Sequence, residues 1–158
     1  MNLRTIVLCV VWSASGVALG QSPSACSWLT LGTAENALGG DANVTVQQPS
    51  ASEGSCRFSL KSDPDTFLEI KVGQAQKQIC VGAGTPLSGL GNEARQCEQK
   101  RAHGNALEVI EGHIRELHFI IAMTQADAPP LPGSKTSRSD QPNRGIQMIA
   151  EQVVGNLF

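Results

Sequence analysis

Tyrosine is absent from this 158-residue sequence, and aromatic residues make up only 4% of it. With so sparse a set, the stacking platforms on which single-stranded nucleic acids are held are hard to build. Charge is also scarce, at 16%, and nearly balanced, with 12 Lys+Arg against 14 Asp+Glu and a formal net charge of −2. No basic field is available to neutralise a phosphate backbone, so nucleic acid is not expected as a partner. No Cys-x-x-Cys pair occurs, which removes the thioredoxin-type motif and the zinc knuckle. A Gly-x-Ser-x-Gly nucleophile elbow is missing too, the nearest stretch being Pro86-Leu87-Ser88-Gly89-Leu90. There is no internal repeat, and the length suits one domain rather than two.

The first stretch of the sequence reads as an export leader. Residues 1–20 carry one positive charge at Arg4, an apolar stretch from Ile6 to Leu19, and Ala18-Leu19-Gly20 before Gln21, small residues that suit a signal peptidase. The run falls short of the roughly 20 strongly apolar residues that a membrane span needs, and Ser13, Ser15 and Gly16 weaken it. Cys26 has Pro23 where a lipid-attachment motif asks for Leu. Soluble export, to the periplasm or outside the cell, is the expectation, with no stable membrane span after cleavage. Removing the leader takes away Arg4, Cys9 and Trp12, so that the charge becomes −3 and four cysteines remain: Cys26, Cys56, Cys80 and Cys97. In an exported chain these read as two disulfides, for which three pairings exist. Pairing of sequence neighbours, Cys26 with Cys56 and Cys80 with Cys97, is favoured; each closed loop contributes about 3 kcal/mol in the chain-entropy description.

Along the mature chain, the stretch from Cys26 to Gly40 predicts a short helix, capped by Thr30 and ended by Gly39. Residues 43–48 and 55–60 alternate apolar and polar side chains around Gln48-Pro49-Ser50-Ala51-Ser52-Glu53-Gly54, so they predict a hairpin. A third strand over 67–72 has Leu68, Ile70 and Val72 on one face and Glu69 and Lys71 on the other. Residues 74–78 read as a polar turn or a short helix. Further strands are expected over 94–99, 106–111 and 114–123, with Gly104 and Gly112 at the joints and the last strand near the sheet centre. Residues 125–143, with Pro129, Pro130, Pro132 and Pro142, read as a loop. Ile146, Ile149, Ala150, Val153, Val154 and Leu157 then give the spacing of a helix with one buried face. Its polar face has no Lys or Arg, so it is expected to pack on the domain rather than on a membrane.

The fold class is therefore α+β: an antiparallel sheet of about five to six strands, with a short N-terminal and a longer C-terminal helix packed on it. The domain assignment is leader 1–20, disulfide-stapled domain 21–124, loop 125–143, and helix 144–158 of the same domain.

Positive signs of catalysis are few. Gly89-Leu90-Gly91-Asn92-Glu93-Ala94 matches a dinucleotide fingerprint, but neither the preceding strand nor the following long helix of that motif is expected, so it reads as a tight turn. His113 and His118 are five apart, which in an extended segment places them on opposite faces, and His103 sits beside Gly104 at a hairpin tip. All three are expected at the solvated surface. Asp63 and Asp65 flank Pro64 in a turn, and Asn43-Val44-Thr45 is a glycosylation sequon, informative only in a eukaryotic secretory pathway. Trp28, Phe58, Phe67, Phe119 and Phe158 are expected mainly in the core rather than along a sugar-binding cleft. No catalytic residue, cofactor or metal site is assigned.

Three stretches resemble a broad group of small bacterial cell-envelope proteins, many of them lipoproteins. They are Cys26-Ser-Trp28-Leu29-Thr30 leading into Ala34-Glu35-Asn36-Ala37-Leu38-Gly39; Gly54-Ser55-Cys56-Arg57-Phe58; and Gly89-Leu90-Gly91-Asn92-Glu93-Ala94. The resemblance implies a bacterial source, a compact α+β domain similar to the PsbP and Mog1 type, a Cys26–Cys56 link and a non-catalytic role. This chain lacks the lipid-attachment cysteine of that group. The functional expectation is an exported, non-catalytic binding module for an envelope protein or a small apolar ligand held between sheet and helix. The free sheet face and the 82–92 loop, with Leu87, Leu90 and Asn92, are the candidate interaction surface. The alternative is a small secreted hydrolase with a site outside known motifs, which requires two histidines to share a cleft.

Overall fold

The computed structural model describes residues 25–74, 77–82, 84–100, 106–124 and 144–158. The segments expected as a leader (1–20) and as a loop (125–143), and His103, lie outside the described residues. Helix α1 spans Leu31–Leu38; its N-cap Thr30 accepts the Thr33 amide, and Gly39 ends it at φ 80° with its N–H on Glu35 O. Strands β1 (Ala42–Ser50), β2 (Glu53–Leu60) and β3 (Phe67–Gly73) form a meander. A second group follows: β4 (Thr85–Pro86), β5 (Asn92–Lys100), β6 (Ala106–Ile114) and β7 (Leu117–Thr124), and then helix α2 (Arg144–Asn156).

Every pairing is antiparallel, and the strands form one seven-stranded sheet in the order β1-β2-β3-β7-β6-β5-β4. The count exceeds the expected five to six because β4 is only two residues long, too short to show alternation, yet it pairs with Arg95 and Gln96. The β3–β7 contact joins the two groups and places β7 at the centre.

Alternation divides the sheet into two faces. The inner face carries Cys56, Phe58, Leu68, Ile70, Ile110, Phe119 and Ile121, all 0–1% exposed, against Ile146, Ile149, Ala150 and Val153 of α2. Burying each such side chain stabilises the fold by about 1.5–3 kcal/mol before entropy is counted. The segment before α1 closes the same layer: Trp28, 1% exposed, donates its indole N–H to Ala51 O at 2.8 Å, and Asn156 Nδ2 donates to Trp28 O at 2.9 Å. Disulfides join Cys26 to Cys56 on this face and Cys80 to Cys97 on the other, the neighbour pairing expected from sequence. They fit an oxidising, exported environment. Among the described residues no helix is long and apolar enough to cross a membrane.

Candidate functional site

The outer face is the surface that the helices leave uncovered, and its two halves differ. On the β5–β7 half, Val109, Ile120 and Ala122 form a second apolar cluster, sealed by the 77–82 segment through Ile79 and Cys80. Three bonds hold that segment down as a strap: the Cys80–Cys97 disulfide, the Ile79 N–H donated to Glu111 Oε2 at 2.7 Å, and Gln99 Nε2 donated to Ile79 O at 3.2 Å. Glu111 is 3% exposed, and its burial is offset by this bond.

At the end of the same half lie the histidines. They do not point to opposite faces. The expected strand over 114–123 is interrupted, because Arg115 adopts φ 54° and, with Glu116, forms a two-residue hairpin turn between β6 and β7. His113 and His118 thereby become direct cross-strand partners, with ring centroids 4.7 Å apart. Gly112, expected at a joint, lies inside β6. His118 is 2% exposed rather than solvated, and its Nδ1 has no hydrogen-bond partner among the described residues. Burial first, and His113 second, hold the His118 imidazole below its ordinary value of 6.5, against an upward pull from Glu111. Burial thus disfavours the charged ring in the folded state. Among the described residues no three His, Cys, Asp or Glu side chains are grouped to hold a metal ion.

The β1–β3 half displays Thr45 and Gln47 from β1, Ser55 and Arg57 from β2, and Glu69 and Lys71 from β3 in neighbouring register. Arg57 lays its guanidinium 3.6 Å above the Phe67 ring, and Lys71 pairs with Glu69 at 2.9 Å.

The three residues of the expected interaction loop have different surroundings. Gly89 and Gly91 take φ of 85° and 75°, so this stretch is the tight turn that its glycines indicated, and it drives Leu90 into the inner core at 4% exposure. Leu87 is half-buried against the same core while its N–H donates to Ala94 O at 2.8 Å. Of the three, only Asn92, opposite His113, is exposed.

Sequence reasoning missed Glu111 as an anchor. The signal was a carboxylate on the same face as Val109, in Glu108-Val109-Ile110-Glu111, which requires a buried partner wherever that face is covered. No protein-family profile matches this chain, and no curated protein matches it.

Proposed function

We propose that the chain is an exported, non-catalytic interaction module of the bacterial envelope, acting in the periplasm or outside the cell. Its recognition surface is the β1–β3 half of the outer face, and its partner is another envelope protein. One observation carries this reading: the helices fill the inner face and the strap seals half of the outer one, while the β1–β3 half offers Thr45, Gln47, Ser55, Arg57, Glu69 and Lys71 on a doubly stapled scaffold. That polar, mixed-charge surface suits a protein better than a small apolar ligand. The space between α2 and the sheet, where such a ligand was expected, is filled by Ile146, Ile149 and Val153.

The test is a photo-crosslinking side chain placed at Ser55 in cells that export the protein, with Asn36 on α1 as the control site. A discrete adduct at Ser55, lost in an Arg57→Glu, Lys71→Glu variant and absent at Asn36, supports the reading. Equal labelling at both sites overturns it.

The hydrolase alternative gains from the His113–His118 contact, since two histidines do meet. A burial that leaves His118 only 2% exposed limits its access to substrate. Hydrolysis of simple esters that disappears in His113→Ala with the fold intact would favour this alternative over the binding reading.

A further inference from the structure

Strand β1 is one end of the sheet, and its two ends are closed in different ways. Lys61 N–H donates to Asp41 O at 2.9 Å, so in the antiparallel ladder Asp41, Asn43, Thr45 and Gln47 turn their backbone groups toward β2. Ala42, Val44 and Val46 turn theirs outward. Ala42 fits this alternation: its N–H is taken by Glu35 Oε1 at 3.1 Å, which closes the first outward rung. At the other end the register shifts between Gln47 and Ser50, and Pro49 removes a donor. Between these stops, Val44 and Val46 leave two outward rungs without a partner among the described residues. The opposite edge, β4, is two residues long and includes Pro86. Strand β1 carries no charged side chain, the usual device by which an exposed edge avoids pairing.

We propose that this edge pairs antiparallel with β1 of a second copy, about a two-fold axis at Thr45, to give one continuous fourteen-stranded sheet. The open segment is self-complementary in that register. Val44 faces the partner's Val46, and each such pair exchanges two backbone hydrogen bonds, using only the free rungs. Val44 and Val46 are half-buried beside the inner core and gain cover from each other across the axis. On the outer face Thr45 meets its own copy and Asn43 meets the partner's Gln47, all uncharged, so nothing repels. Registers centred on Val44 or Val46 require the Ala42 rung that Glu35 occupies or the irregular Gln48–Pro49 stretch. Four backbone bonds make a small interface, so the dimer is reversible rather than permanent.

The dimer edge shares Thr45 and Gln47 with the partner surface proposed above but does not rest on that reading, and its test needs only the purified chain. Sedimentation equilibrium from about 10 µM to about 1 mM is expected to show a monomer–dimer equilibrium. Thr45 is exposed in the monomer but lies opposite Arg57, so Thr45→Lys should lower the melting temperature only modestly and weaken dimerisation at least tenfold by setting two ammonium groups face to face. Under mild oxidation Thr45→Cys should form an intermolecular disulfide, since facing residues of a non-hydrogen-bonded pair lie within disulfide reach. Asn43→Cys, displaced from the axis, should not, and peptide mapping should find both native disulfides intact. A chain that stays monomeric throughout overturns the proposal. So does a dimer indifferent to Thr45→Lys, or cross-linking as efficient at position 43 as at 45.

Discussion

The buried carboxylate of Glu111 accepts the backbone N–H of Ile79 at 2.7 Å, tying a segment 32 residues upstream in the chain to the outer face of β6. This bond and the nearby disulfide keep water from Val109, Ile120 and Ala122. Replacing Glu111 with Leu should leave the Ile79 N–H unsatisfied and cost about 1–3 kcal/mol, whereas Glu111→Gln, which retains an acceptor, should cost about half as much or less. Hydrogen exchange at the Ile79 amide, together with urea unfolding, checks both: exchange should accelerate strongly in the first variant and weakly in the second.

The two disulfides should not be equivalent. Cys26 and Cys56 enclose a sequence separation of 30, and Cys56 is fully buried in the main core; Cys80 and Cys97 are 17 apart and fasten only the strap. Replacing the Cys80–Cys97 pair with serines should lower stability by about 2–4 kcal/mol and expose the strap, with the sheet retained. The same change at Cys26 and Cys56 should cost more, because it opens the longer loop and leaves a hydroxyl in the main core rather than under a strap that can lift away. Thermal melts of the two double variants, compared with exchange at Ile79, separate global from local loss.

Glycine replacement should discriminate within the Gly89–Gly91 turn. Both residues have positive φ, but a Cβ at Gly91 would lie 2.4 Å from His113 O, while at Gly89 it would meet open space. Gly89→Ala should cost about 1 kcal/mol from backbone strain, and Gly91→Ala distinctly more, since a backbone carbonyl must also move. Denaturant midpoints of the two single variants give the comparison directly.

Acid should weaken the fold through His118. Its native imidazole titrates below 6.5, so the native state holds fewer protons than the unfolded chain over that interval. Stability should be level above about pH 6.5, fall as the pH drops through the unfolded value, and level off below the native one. His118→Phe, which keeps a ring in the buried place, should flatten this step. Urea midpoints at closely spaced pH values for both proteins are the measurement; an unchanged slope in the variant would assign the step to other groups.

Much of the local architecture was legible in the sequence because short-range patterns dictate it. The caps Thr30 and Gly39 delimit α1 wherever that helix packs, the turn residues within 48–54 make neighbours of β1 and β2, and the alternation Leu68, Ile70, Val72 assigns β3 its inward face. For the disulfides the sequence left three pairings open and only favoured the neighbour pairing that the structure shows. The tertiary structure decided what depends on pairing at a distance. Neither β3 nor β7 contains a sign that Ile70 will face Ile121, some fifty residues later, since any two strands with this alternation could pair. The histidine contact depended on a turn made by Arg115 and Glu116, two charged residues without the glycine or asparagine that advertises a hairpin, and a shift of the joint from Gly112 to that turn reversed which faces His113 and His118 share. Leu90 and Glu111 were likewise decided by what covers each face. An apolar loop residue becomes core, and a carboxylate becomes an anchor, only once another segment excludes water from it.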